Sequence, residues 1–124
     1  MPSQDFWSAL EQLVKDHELV IDRPRGSRHP GHLAAVYPLD YGYLRGTSSG
    51  DGAGIDAWRG SLPEKSLVGC LCTVDLTKKD IELKLLLGCS EAEIQTIQAF
   101  HDSPGMQSLR IARQAMPDTE AKSA

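Results

Sequence analysis

The segment that most directly predicts a β-sheet protein is LVGCLCTVD-LTKK-DIELKLLL, residues 67–87. Residues alternate in character along its first and last parts, which predicts two β-strands, and the intervening residues 76–79 have a common hairpin-loop length. Pairing Asp75 with Asp80 places the apolar residues of one strand opposite those of the other. This register predicts one apolar face, made of Cys70, Cys72, Val74, Ile81, Leu83 and Leu85.

The other face of this hairpin concentrates carboxylates. Directly opposed residues have Cβ atoms about 5 Å apart, so Asp75 and Asp80 repel each other, and Glu82 follows on the same face. One interpretation is a solvated surface, on which nearby lysines neutralise the carboxylates; the other is a site for a hard divalent cation. The hairpin alone favours the first interpretation. The lysines in question are Lys78, Lys79 and Lys84.

Patterns outside the hairpin predict mixed secondary structure. Apolar spacing predicts a helix over residues 3–16, and extended segments over 19–21, 36–44 and 55–58, with a loop over 23–31 and a glycine-rich connection over 46–54. A capping box formed by Ser90 and Glu93 predicts a second helix that ends before Pro104.

The C-terminal part predicts a further short helix over residues 105–116. Residues 1–116 are expected to form one domain, and the small, polar residues 117–124 a disordered tail.

The overall charge restricts the class of partner. The 124 residues carry 17 acidic and 13 basic side chains, a formal net charge of −4, which argues against a sequence-independent grip on nucleic acid. No apolar run reaches the length needed to cross a bilayer. With three cysteines and no signal-peptide pattern, we expect a cytoplasmic protein. Cys70 and Cys72 suggest half of a zinc site, but small core residues are the favoured interpretation.

Two further motifs carry aspartates. The stretch YPLDYGY, residues 37–43, is followed after a short link by DGAGID, residues 51–56, and preceded by VIDRPRGSR, residues 20–28. These segments resemble the soluble inorganic pyrophosphatases, whose patterns are Tyr-Pro-x-Asn-Tyr-Gly-Tyr and Asp-Gly-Asp-Pro-x-Asp. The spacing of Asp75 and Asp80 also resembles a later aspartate pair of that family. The resemblance extends over residues 19–101.

The resemblance implies a mainly β fold with flanking helices (α+β), in the form of a small OB-like closed β-barrel that binds Mg²⁺. It implies that Asp51, Asp56 and Asp80 hold the tightest metal, with Asp75 and Asp22 as further metal ligands. Asp56 and Tyr41 are then the expected catalytic residues, and Tyr41 also contacts phosphate. The implied activity is Mg²⁺-dependent hydrolysis of a phosphoanhydride such as pyrophosphate, in a homo-oligomer.

The sequence also departs from the family pattern. Ala53 takes the position of the aspartate that accepts a proton from the attacking water, and a methyl group cannot do this. Glu82 takes the position of a phosphate-binding lysine. The segment between Ser27 and Tyr37 is too short for a hairpin that carries charged groups in the family, and the expected Tyr-Lys pair is missing near His101.

Other basic residues are candidates for holding phosphate. Arg suits bidentate contact with phosphate, and a crowded loop near Asp22 also contains His29 and His32. A solvated basic loop is the alternative interpretation. The expected substrate-binding residues are Arg23, Arg25, Arg28, Tyr41 and Lys84.

Two functions compete with hydrolysis. The first is a binding module that holds metal and a phosphorylated ligand without turnover, which Ala53 and Glu82 favour. The second is a barrel-type nucleic-acid binder, which the acidic balance disfavours.

Overall fold

The structure is a computed structural model that describes residues 4–113. It contains two helices and eight strands in this part of the chain. Their bounds are α1 Gln4–Asp16, β1 Leu19–Arg23, β2 Arg28–His29, β3 His32–Val36, β4 Asp40–Leu44, β5 Ile55–Arg59, β6 Leu67–Asp75, β7 Asp80–Leu87, α2 Glu91–His101 and β8 Met106–Ala112.

The main sheet has six strands in the order β1-β4-β5-β7-β6-β8, and β2 and β3 form a separate two-stranded sheet. All neighbouring strands of the main sheet are antiparallel except β5 and β7, which are parallel. The predicted closed barrel is wrong. Closure requires the two outermost strands to pair, and within residues 4–113 β1 and β8 remain the two edges of an open sheet. The short hairpin of β2 and β3 pairs with itself and so does not bridge these edges.

The predicted register of the central hairpin is confirmed. Asp75 is paired with Asp80, Val74 with Ile81, and the remaining pairs follow in step as far as Cys70 with Leu85. The lysine of the charged face, Lys84, lies opposite Leu71. The hairpin therefore has the two faces expected from its alternation.

The short helix predicted over residues 105–116 is wrong where the structure describes it. Residues 106–112 form β8, which pairs antiparallel with β6 from Met106 opposite Asp75 to Ala112 opposite Gly69. Leu109 and Ile111 alternate with polar residues, and pairing along the free edge of β6 satisfies the backbone groups of both strands. Residues 114–116, and the tail predicted over 117–124, lie outside the described residues.

Helix α1 covers the first face of the sheet, but only in part. Its buried residues Trp7, Leu10 and Val14 pack in one cluster with apolar residues of β4 to β7. Along the apolar face of β7, Leu85 is 0% exposed whereas Ile81 is 69% exposed. The helix thus covers the base of the hairpin and leaves the residues near its loop uncovered.

Helix α2 and an aromatic cluster cover the second face. The capping box of Ser90 and Glu93 starts α2, as predicted, and Ile94 and Ile97 bury its apolar side. They pack with Trp58, Leu71, Leu86 and with Tyr37 and Tyr41. The charged residues of the hairpin lie on this same face, beyond the part that α2 covers. Within residues 4–113, no helix is long and apolar enough to span a membrane.

Candidate carboxylate site

Four acidic residues line one cavity beside β7, next to the point where its pairing with β5 begins. The cavity has a volume of about 240 Å³. Its acidic residues come from three segments: the loop after β4 supplies Asp51, β5 supplies Asp56, and β7 supplies Asp80 and Glu82. We call it the carboxylate cavity. Ser49, Gly50, Ile81 and Leu83 complete its lining.

Strand pairing explains why residues so far apart in sequence meet. Asp56 lies on β5, and its partner in the parallel pairing with β7 is Lys84. Successive side chains of a strand point to opposite faces, so Asp80, Glu82 and Lys84 share the face of β7 that Asp56 occupies on β5. The predicted ligands Asp51, Asp56 and Asp80 are therefore brought together, and Glu82 joins them.

The loop that carries Asp51 is held by hydrogen bonds to its carboxylate. The Asp51 Oδ1 accepts from the Ser49 hydroxyl at 2.6 Å and from the Ala53 N–H at 2.9 Å. The hydrogen bond from Ser49, and next the one from Ala53, hold the pKa of Asp51 below its ordinary value. Ala53 therefore supports the site through its backbone, while its side chain is a methyl group.

Lys84 is the cation closest to these carboxylates. Its Nζ lies 2.7 Å from the Tyr41 hydroxyl, 3.3 Å from Asp56 Oδ2 and 3.1 Å from Glu82 Oε1. Only 5% of Lys84 is exposed. Burial, and next the negative charge of Asp56, raise the pKa of Tyr41, so its hydroxyl stays protonated.

A second lysine neutralises the outer part of the cavity. The ammonium of Lys78 lies 3.3 Å from Asp80 Oδ2 and 3.9 Å from Glu82 Oε2. The charge of Glu82 is the main cause of the raised pKa of Lys78. The interpretation in which lysines balance the hairpin carboxylates thus agrees with the contacts of Lys78 and Lys84, while Lys79 is exposed in the turn.

Asp75 and Asp22 have other surroundings. Asp75 Oδ1 accepts from the N–H groups of Thr77 and Lys78, at 2.9 and 3.0 Å, and so holds the hairpin turn. Asp22 lies at an irregularity of β1 and is exposed. Neither of these two aspartates lines the carboxylate cavity.

The predicted phosphate-binding arginines are separated by the fold. The Arg23 guanidinium donates to the Tyr37 hydroxyl and lies over the rings of Tyr37 and Tyr41, at 5.6 and 6.0 Å from their centroids. Arg25 is exposed, and its backbone N–H donates to a carboxylate oxygen of the β4 strand. Arg28 is also exposed and donates to a carbonyl of β3. Only Arg23 therefore lies beside Tyr41.

The aromatic cluster next to the cavity is part of the core. Trp58 is fully buried, and its indole N–H donates to Nε2 of His101 at 3.1 Å. His29 stacks on Tyr37 with ring centroids 6.0 Å apart, and burial, then the charge of Arg23, lowers the pKa of His29. These contacts hold Tyr37 and Tyr41 in place behind Lys84.

The donor set has the chemistry that Mg²⁺ requires. Mg²⁺ binds oxygen ligands, and one or two carboxylates with water are a common protein contribution. The four carboxylates of the cavity provide such oxygens. Within residues 4–113, no three Asp, Glu, His or Cys side chains stand in positions that already form a metal site. Metal binding therefore requires the carboxylates to turn towards a common point.

One carboxylate of the cavity and one cation beside it were not among the predicted metal ligands or substrate-binding residues. Glu82 was predicted as one of three carboxylates on the charged hairpin face and as the replacement for a lysine, and Lys78 as one of three lysines near those carboxylates. The signal that identifies Glu82 is its spacing, since it lies two residues after Asp80 on a strand whose register is predictable.

No protein-family model matches the chain, and comparison with curated proteins found no match.

Proposed function

We propose that the protein is a Mg²⁺-dependent hydrolase of phosphoanhydrides, related to the soluble inorganic pyrophosphatases, with pyrophosphate as the first candidate substrate. The observation that carries the proposal is the carboxylate cavity, in which side chains from three separate segments converge. Asp51, Asp56 and Asp80 line it, and these are the residues that the motif resemblance selects. A cavity of about 240 Å³ has room for a small phosphorylated ligand.

In this proposal the three aspartates hold the metal. Bound Mg²⁺ supplies charge neutralisation for the phosphate oxygens and lowers the pKa of a bound water. The Tyr41 hydroxyl accepts from Lys84 and stays protonated, and in this proposal it turns its one proton from Asp56 to a phosphate oxygen. Arg23, over the Tyr41 ring, adds a positive charge on the same side.

The charge balance of the cavity makes the binding of an anionic substrate depend on a metal ion. Asp51, Asp56, Asp80 and Glu82 give four negative charges, and Lys78 and Lys84 offset two of them. A negative excess repels phosphate unless a divalent cation is bound first. The proposal therefore makes Mg²⁺ necessary for substrate binding as well as for turnover.

A second candidate function is a binding module without turnover. Ala53 favours it, because a methyl group cannot take a proton from water. Lys84 also favours it, since its ammonium is engaged by Tyr41, Asp56 and Glu82 rather than free for phosphate. Such a module would hold Mg²⁺ and a phosphorylated ligand at the same cavity.

Phosphate release separates these candidates. Purified protein is incubated with pyrophosphate, nucleoside triphosphates or sugar phosphates, with and without Mg²⁺, and free phosphate is measured. We expect Mg²⁺-dependent release from pyrophosphate that is lost in Asp56→Asn and kept in the control Asp5→Asn, an exposed position of α1. Release from none of these compounds rules out the hydrolase. Calorimetry with Mg²⁺ and pyrophosphate then tests the binding module.

The proposal includes the cellular compartment of the protein. We place it in the cytoplasm, where the thiols of Cys70, Cys72 and Cys89, all free in the structure, stay reduced.

We propose a homo-oligomer, supported by exposed apolar side chains on one face: Ile81 is 69% and Leu109 is 65% exposed. Light scattering on a sizing column tests this, and a monomer at all concentrations contradicts it.

A further inference from the structure

Lys84 is a buried ammonium whose hydrogen-bonding capacity is used within the protein. A lysine side chain carries three N–H donors. Its three partners here are the Tyr41 hydroxyl, Asp56 Oδ2 and Glu82 Oε1, at 2.7, 3.3 and 3.1 Å. A lysine that recruits a phosphate group from solvent needs at least one donor free, and this one has none left.

The position of Lys84 in the sheet makes it the innermost charge of the site. It lies two residues beyond Glu82 on the same face of β7 and beside Asp56 on β5. Its next neighbour on that face, Leu86, is fully buried, so the strand enters the core immediately after Lys84. Burying an ammonium costs free energy unless paired charges and hydrogen bonds compensate. Asp56 and Glu82 provide that compensation.

We propose that Lys84 is a built-in counter-cation that takes the deepest cation position among the cavity carboxylates and weakens divalent-metal binding there. It engages one oxygen each of Asp56 and Glu82, and its positive charge repels a metal ion held by the same groups. The inference rests on the proposed metal site and specifies how that site is regulated. A Mg²⁺ ion bound by the three aspartates must therefore compete with the Lys84 ammonium for Asp56.

The consequence is a gain of affinity when the charge is removed. Lys84→Met keeps the length and apolar stem of the side chain and deletes the ammonium. Removing a like charge at close range removes repulsion that a bound metal ion would otherwise meet. We expect the dissociation constant for Mg²⁺ alone, measured by calorimetry without substrate, to fall by about tenfold or more. Lys84→Arg keeps the cation and should keep the weaker binding.

The matched control is Lys65→Met, which makes the same change of charge at a position outside the cavity lining. Unchanged affinity there, with tighter binding in Lys84→Met, supports the proposal. Equal or weaker Mg²⁺ affinity in Lys84→Met overturns it, as does a gain that Lys84→Arg shares. The proposal is also overturned if neither the unaltered protein nor Lys84→Met binds Mg²⁺ detectably.

If Lys84→Met is less stable, the unfolding temperature with and without Mg²⁺ still tests the proposal. Without Lys84, Asp56 loses its cation and Glu82 keeps only Lys78, at 3.9 Å, which destabilises the fold. A ligand that binds only the folded state stabilises it. Mg²⁺ should therefore raise the unfolding temperature of Lys84→Met more than that of the unaltered protein, and an equal or smaller rise contradicts the proposal. Neither measurement uses hydrolysis, so failure of the phosphate-release assay does not affect the outcome.

Discussion

The indole N–H of Trp58 donates a hydrogen bond of 3.1 Å to Nε2 of His101, and both side chains are buried between the sheet and α2. Nε2 must be unprotonated to accept, so His101 is neutral in the folded protein. Burial, and next the positive charge of Lys84, lowers the pKa of His101 from 6.5 to about 4. This contact joins the C-terminal end of α2 to the strand that supplies Asp56.

The protein should lose stability as the pH falls from about 6.5 to about 4. In this window the unfolded chain binds a proton at His101 that the folded state does not, so the free energy of unfolding decreases with falling pH. The difference corresponds to about 3 kcal/mol over the whole window. Urea denaturation at several pH values measures it.

The variant His101→Gln isolates this effect. It removes the titrating group, and we expect a smaller loss of stability between these pH values than in the unaltered protein. His17→Gln, just after α1, makes the same substitution outside the core and should keep the full pH dependence. An unchanged slope in His101→Gln contradicts the assignment.

Two positions on one face of β7 should differ sharply in their tolerance of truncation. Leu85 is 0% exposed beneath α1, whereas Ile81 is 69% exposed near the hairpin loop. We expect Leu85→Ala to cost about 2–5 kcal/mol in the free energy of unfolding. Ile81→Ala should cost less than about 1 kcal/mol, because little apolar area is lost from contact. Equal losses of unfolding free energy in the two variants, measured by urea denaturation, would contradict the finding that α1 covers Leu85 and leaves Ile81 exposed.

Gly42 should not tolerate a side chain. A Cβ added there would lie 1.7 Å from the carbonyl oxygen of Val20 on β1. Because this atom belongs to backbone that pairs with β4, relief requires the two strands to separate. We expect Gly42→Ala to cost about 3 kcal/mol or more. Gly50→Ala, with no atom within 4 Å of its added Cβ, is the control and should change stability by less than about 0.5 kcal/mol.

Introducing a carboxylate at position 53 should increase the hydrolysis that we propose. If the proposed turnover is limited by the lack of a proton acceptor at this position, Ala53→Asp should raise kcat for pyrophosphate by about tenfold or more, since general bases contribute about 10²–10⁴-fold. Position 53 is exposed in the loop whose backbone holds Asp51. Ala53→Asn has a similar size and no basic carboxylate, and its kcat should not rise. A gain in both variants would point to loop geometry instead.

Several features followed from local sequence pattern. The register of β6 and β7 was predictable because strand alternation and a four-residue loop leave few ways to pair residues 67–75 with 80–87. The capping box of α2 was predictable because its two hydrogen bonds span only three residues. The same local logic placed Asp80, Glu82 and Lys84 on one face.

Other features depended on pairing between distant segments. The parallel contact of β5 with β7 brings Asp56 beside Lys84, and the pairing of β8 with β6 converts a predicted helix into an edge strand. Neither pairing has a local signal, because the partner strand supplies the hydrogen bonds and the burial that outweigh intrinsic preference. The open sheet in place of the expected barrel has the same origin.

For the candidate site, the sequence alone determined the carboxylates and their alternation along β7. Only the tertiary structure decided that Asp51 and Asp56 join Asp80 and Glu82 in one cavity while Asp22 and Asp75 do not line it. The structure also decided that Lys84 is buried and paired rather than exposed. The reason is physical: charge and spacing are properties of the chain, whereas burial depends on which distant strands and helices cover a residue.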